Sequence, residues 1–380
     1  MHSDKAQIDL RFINFVAAWR WVSALIAVMY HVRFLMFVPY DSLLAKTVTA
    51  KSFYFITGLG HESFAVFFVA DGIAAALALR SPQSTAAPAL RLIRAHLGAY
   101  PIILSGLLVG AALDLLGSNI FNGTLLYSDY PAYTTVTLTL SSFFGNMFML
   151  QPFFVATFGS NAMLHFLSYR WWSSLLLSAF LATNTLPRLF VIGTCAALVF
   201  GVLLAMPYRF IPWLATWLLG FAVVTVHQPM YSRSLSFAGL ALFFVMVFMS
   251  RMIGSHEGLL PQPFGYWLIL WKYFFVGAGF AAFAWTRKRP CLTPASRPPA
   301  SYKCSPHVLS NDAFALFFFH FPLVMFVIGL TFDYFHQKLM QQPSTILYAE
   351  YVAVIVICWV FATVIARLST ARSLNIYADD

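Results

Sequence analysis

Residues Trp19–Val38 read WRWVSALIAVMYHVRFLMFV. Wound as a helix at about 1.5 Å per residue, such a run matches the roughly 30 Å hydrocarbon core of a bilayer. Ionisable residues nevertheless lie inside it, Arg20 and His31 among them. Each costs roughly 2.5–3.5 kcal/mol near the centre of a membrane helix on insertion scales. A residue that expensive, where Leu would serve, is a candidate for function. Their spacing sharpens the case. Eleven residues turn a helix through about 1100°, three full turns and roughly 20° more, so both side chains share one face about 16 Å apart along the axis. One stripe thus carries a permanent cation and a titratable imidazole.

The rest of the chain has the composition of a membrane protein. It is 60% hydrophobic, 18% aromatic and 9% charged, against about 25% charged in soluble domains. The apolar runs are continuous and about twenty residues long, where an outer-membrane barrel shows alternating segments of about ten. The expected fold is therefore all-α, a polytopic bundle forming a single membrane-embedded domain over residues 1–380. The net charge of +10 is accounted for by cytoplasmic loops rich in Lys and Arg, without a nucleic-acid partner. Cys195 and Cys358 sit in apolar runs, while Cys291 and Cys304 flank a basic, Pro-rich loop near His307. Without a paired C-x-x-C this is not a metal site by pattern, and a cytosolic loop would not hold a disulfide. The polar start, Met1 to Gln7, leads through Arg11 into a full-length apolar run with no small-residue cleavage pattern, so the first helix reads as a retained signal anchor.

Ten spans are expected, at approximately 17–38, 60–79, 97–116, 164–183, 189–206, 211–227, 236–252, 267–285, 311–330 and 346–368, with a further apolar segment near 141–156. Charge distribution chooses between ten and eleven. With ten, the clusters Arg80/Arg91/Arg94 and Arg287/Lys288/Arg289/Arg297/Lys303 and the tail pair Arg367/Arg372 all fall on the side of the N-terminus. Between Arg94 and Arg170 there is no Lys or Arg, as an external segment requires. The 141–156 segment is therefore expected to be re-entrant or membrane-lying, and both termini to face the cytoplasm.

Several motifs, in order along the chain, resemble those of the acyltransferase-3 family of polytopic membrane acyltransferases. AAWRWVSALIAVMYH (17–31) carries an Arg, ten residues, then a His. GHESFAVFFVADG (60–72) is similar to the family's FFVLSG segment, and RLIR (91–94) before Tyr100-Pro101 to its basic R-x-x-R element. GNMFMLQP with FGSNAMLHFLSYRWW (145–172) and FFFHFPL (317–323) resemble later family segments. Two positions depart from the pattern: Asp71 stands where the family has Ser, and Arg170 where it has Glu. They read either as a compensating ion pair, offsetting the cost of burying each charge, or as the mark of a drifted member with altered or lost activity.

The resemblance implies catalytic roles for His31 and Arg20. An imidazole, with an unperturbed pKa near 6.5, can deprotonate a hydroxyl attacking a thioester; the alternative is a hydrogen-bonded core His. Arg20 would position His31 or bind an anionic part of the donor, unless it is a snorkelling anchor. Arg91 and Arg94, three apart on a helix, would present two guanidinium forks on one face to the phosphates of coenzyme A, or simply anchor the cytoplasmic side. His61 and Glu62 stand at the outer mouth of the second span, to meet an acceptor or merely to be solvated. His320 reads first as a satisfied core histidine.

What the resemblance implies is an O-acyltransferase of the cell inner membrane, with acetyl-CoA as donor, no bound cofactor or metal, and a carbohydrate as acceptor, an exopolysaccharide or lipid-linked oligosaccharide. Membrane lipid and polysaccharide-assembly proteins are the implied partners. Two alternatives stay open: a transporter or flippase for a lipid-linked sugar, since intramembrane Arg, His and Asp also line substrate paths, and a catalytically inactive member.

Overall fold

The computed structural model describes residues 10–80, 88–121, 125–127, 136–151, 153–182, 193, 209–226, 232–256, 261–288, 306–335 and 339–376. Among them the fold is all-helical and no strand forms. Seven helical stretches are long and apolar enough to cross a membrane: Arg11–Met36, Val48–Leu79, Tyr100–Ile120, Arg233–Ser255, Phe264–Arg287, Asp312–Thr331 and Thr345–Leu368. That is the architecture of a polytopic membrane protein, and these stretches cover seven of the ten expected spans. The 164–183 run forms a helix of adequate length, Leu164–Ala182, but the polar residues on it leave it outside the seven. The 211–227 run gives the shorter apolar helix Phe210–Thr225. The 189–206 run lies outside the described residues, except for residue 193.

The chain divides into two compact units: residues 1–22, 61–98 and 169–310 form unit 1, and residues 23–60, 99–168 and 311–380 form unit 2. Unit 1 contains the first part of α1 (Leu10–Met36), then α3 (Gly60–Arg80), the amphipathic α4 (Pro88–Leu97), most of α7 (Leu164–Ala182), α8 (Phe210–Thr225), α9 (Arg233–Ser255) and α10 (Phe264–Arg287). Aromatic side chains cement it. Trp19 meets Phe243 edge-on at 5.6 Å and Phe280 at 5.4 Å, and Phe15 meets Phe283 at 5.3 Å. Contacts of this geometry contribute about 0.5–1.5 kcal/mol beyond area burial. Helices α3 and α8 approach unusually closely. A Cβ on Gly72 would collide with the Trp217 carbonyl, and one on Gly220 with the Val69 carbonyl. Glycine is required at both points, as in other small-residue crossings of membrane helices, and the approach sets Trp217 against residue 71.

Unit 2 contains the remainder of α1, α2 (Val48–Thr57), α5 (Tyr100–Ile120), the short α6 (Leu140–Met147), α11 (Pro306–Phe335) and α12 (Thr345–Ile376). Almost the whole apolar length of α11 is buried. The end of α1 is tied down by Val38 N–H to the Gln341 carbonyl (3.1 Å), Gln341 N–H to the Met36 carbonyl (2.8 Å) and Tyr54 O–H to the Val38 carbonyl (2.6 Å). Two local features differ from, or refine, the sequence reading. The chain ahead of residue 60 forms a separate helix, α2, N-capped by Thr47, whose hydroxyl accepts from Ala50 N–H. Among the described residues of 141–156 only α6 is helical, with a Thr139/Ser142 capping box, and at about 12 Å of rise it is too short to cross a bilayer.

Candidate functional site

In unit 1 two arginines of the apolar helices, Arg20 and Arg170, converge on Asp71. The Nε of Arg170 lies 2.7 Å from Asp71 Oδ1, Arg20 Nη2 donates to the same oxygen at 3.2 Å, and Trp217 Nε1 donates to Oδ2 at 3.0 Å. All three charged side chains are buried or nearly so, and the Arg20 guanidinium also lies over the Phe67 ring, 4.9 Å from its centroid. Asp71 and Arg170 are thus in contact, which was one of the two sequence readings, but the pair is one part of a larger cluster. Arg20 belongs to it, rather than serving as a snorkelling anchor. One carboxylate serves two guanidiniums and an indole, in a region where an unmatched charge is costly.

A second polar group gathers at the start of α3. Glu62 is buried and accepts from Ser250 Oγ at 2.9 Å, so the solvated alternative does not describe it. The ring of His61 stacks on Tyr273 (5.5 Å between centroids), and Lys272 Nζ lies 4.9 Å from the same Tyr273 ring. Lys272 and Ser250 were not singled out in the sequence, although a Lys inside the 267–285 apolar run satisfies the criterion that flagged Arg20.

The basic residues of unit 1 prove partly structural. Arg91 is half-buried and its Nη1 donates to the Leu79 carbonyl at 2.9 Å, completing the C-terminus of α3, whereas Arg94 is exposed. One guanidinium of the expected pair thus also bonds a helix end, and the other is exposed. Lys288 is likewise occupied, its Nζ donating to the carbonyls of Val223 (2.9 Å), Val224 (3.3 Å) and Val226 (2.7 Å) at the end of α8. Arg91→Ala should lower thermal stability by about 1.5–3 kcal/mol, the range for hydrogen bonds to charged groups. Arg94→Ala should leave it unchanged, and unfolding in detergent separates the two.

Unit 2 holds a histidine pair. His320, fully buried on α11, has Nδ1 3.0 Å from the Leu316 carbonyl, and its Nε2 lies 3.1 Å from Nδ1 of His31. His31 Nδ1 is also 2.8 Å from the Ala27 carbonyl. A carbonyl only accepts, so both Nδ1 atoms carry protons, and His320 Nε2 is the acceptor for the His31 N–H. In the neutral His31 ring the basic nitrogen is accordingly Nε2. Phe321 meets His31 edge-on at 5.2 Å and helps fix the ring. His320 is satisfied, as expected, but its partner is His31, which spacing could not reveal. Arg20 and His31, read from sequence as one layout, join different clusters in different units.

Asp114, inside the third apolar run, was also passed over. It is fully buried and accepts two short hydrogen bonds from Ser160, from N–H to Oδ2 and from Oγ to Oδ1, each 2.7 Å. Gly159, at φ +68°, turns the chain so closely that a Cβ there would strike Asp114 Oδ2. Nearby, burial raises the Tyr127 phenol above its usual range, and the Asp114 carboxylate adds to the shift. Among the described residues no group of three His, Cys, Asp or Glu could hold a metal ion; Cys291 and Cys304 lie outside them.

Compared with known proteins, the chain matches no family model, no curated protein and no solved structure.

Proposed function

We propose that the protein is a membrane-bound O-acyltransferase that transfers an acetyl group from acetyl-CoA to a hydroxyl of an exported or surface polysaccharide. The observation that carries this reading is the buried His31–His320 pair, in which His31 keeps Nε2 as its base. The ordered resemblance to the acyltransferase-3 family supports the donor, the acceptor class and placement in the cell inner membrane. Ten spans with both termini cytoplasmic complete the proposal.

In the proposed reaction His31 Nε2 takes the acceptor hydroxyl proton as the oxygen attacks the thioester carbonyl. A C–O bond forms, the C–S bond breaks, and the proton leaves with the thiolate as coenzyme A. The imidazolium formed on the way keeps its Nδ1–H shared between the Ala27 carbonyl and His320 Nε2, both acceptors, so the positive charge is partly offset where it develops. Arg94, exposed on α4, is the better placed of the two sequence-selected arginines to meet coenzyme A phosphates.

The Asp71 cluster favours a second reading, a transporter or flippase for an anionic lipid-linked sugar, because two guanidiniums share one carboxylate inside apolar helices. An inactive family member is the third. Purified protein in proteoliposomes with radiolabelled acetyl-CoA and de-acetylated surface polysaccharide separates them. Label should pass to the polymer; label that never leaves the donor, with movement of lipid-linked sugar across the bilayer, would favour the flippase.

A further inference from the structure

Helix α11 contains Pro322. Proline has no N–H, so the carbonyl four residues earlier, that of Phe318, has no donor from its own helix. In a lipid-embedded bundle such a carbonyl must be satisfied by another group. Here the donor is Asn161, whose Nδ2 reaches the Phe318 carbonyl at 3.0 Å. The other end of the same amide is also committed, since Asn161 Oδ1 accepts from Met163 N–H at 3.2 Å. These two contacts fix which way the amide faces.

Asn161 is itself held from behind. Its neighbour Ser160 is clamped twice by Asp114, and Gly159 N–H bonds the Thr137 carbonyl at 3.2 Å. The segment 159–161 is therefore pinned to α5 on one side and delivers its amide to α11 on the other, wholly within unit 2. The carbonyl it completes lies two residues before His320, in the turn that also contains the Leu316 carbonyl bonded to His320 Nδ1. That proline-broken turn therefore carries the imidazole of His320, whose Nε2 meets Nδ1 of His31.

We propose that Asn161, anchored through Ser160 by Asp114, is a positioning residue for the His31–His320 pair: by completing the turn broken at Pro322 it sets the ring of His320. Its catalytic meaning rests on the acyltransferase reading; its effect on the imidazoles does not. The test uses the full-length protein with isotope-labelled histidine. His31→Gln and His320→Gln assign the ring signals, and ring nitrogen shifts are followed with pH beside transfer kinetics. Asn161→Asp keeps an oxygen for Met163 N–H but cannot donate from a carboxylate to Phe318. It should change the shifts and titration of both rings and lower kcat by about ten- to a hundredfold, the scale for small misplacements of catalytic groups, with KM for acetyl-CoA unchanged.

Pro322→Ala returns an N–H to the Phe318 carbonyl, so in that background Asn161→Ala should have little further effect on the imidazole signals. If Asn161→Ala alone does not fold, adding Pro322→Ala should restore folding, and failure to do so would overturn the assignment. Unmoved ring signals in a folded Asn161→Asp, or equal effects of Asn161→Ala in both proline backgrounds, would also overturn it. If the rings shift while the wild type transfers no acyl group, the positioning role stands and the acyltransferase reading falls.

Discussion

Asp71→Asn should nearly abolish the folded protein. The substitution leaves Arg20 and Arg170, which approach the same carboxylate oxygen at 3.2 and 2.7 Å, facing each other across a neutral amide among apolar helices. Removing one member of a buried ion pair costs about 3–5 kcal/mol, and here two cations lose their anion at once. Since whole domains are stable by only about 5–15 kcal/mol, folded abundance should fall severalfold or more. Arg170→Gln should be milder, because Asp71 retains Arg20 and the Trp217 indole N–H. This asymmetry follows from the three-charge cluster and would not follow from an isolated Asp71–Arg170 pair. The double substitution Asp71→Ser with Arg170→Glu should recover much of the loss by giving Arg20 a new carboxylate partner. A double-mutant cycle on thermal unfolding in detergent reads the coupling; additive single effects would show that Asp71 and Arg170 do not interact.

His31→Ala should leave a folded, membrane-inserted protein that transfers acyl groups about a hundred- to ten-thousandfold more slowly, the range ascribed to a positioned general base. The vacated volume is small, and His320 keeps its bond to the Leu316 carbonyl. His320→Gln should cost less. Its side-chain amide can still offer an oxygen to the His31 N–H, but not the imidazole lone pair that faces Nδ1 at 3.1 Å. Circular dichroism and kinetics on the same preparations separate lost chemistry from lost fold. A His31→Ala enzyme of near-normal kcat would remove His31 from the mechanism.

The polytopic helical architecture was legible because apolar runs of membrane length are a direct consequence of bilayer thickness. The Asp71–Arg170 contact was one of two readings open in the sequence, because two opposite charges in an apolar setting offset each other's burial cost. That Arg20 completes the cluster was not, because helical spacing assigns it a face and not a neighbour. Trp217 carries no charge to betray it; its place depends on the close crossing at Gly72 and Gly220, a three-dimensional fact. Asp114 obeyed the rule that drew attention to Arg20 and could have been found by applying it evenly. Pro322 announces that the Phe318 carbonyl lacks a helical donor, yet the donor lies far away in sequence, at Asn161. Arg91 has a further role that spacing does not show, since its Nη1 completes the end of α3.

Acyl transfer that depends on His31 is open to a test in cells. The surface polysaccharide of a strain lacking the protein, complemented with wild type or with His31→Ala, is analysed for O-acyl groups by mass spectrometry. Exported polymer should lack the acyl modification in the deletion strain, and acylation should be restored by wild type and not by His31→Ala. Fully acylated polymer in the deletion strain, or acylation restored equally by His31→Ala, would contradict it.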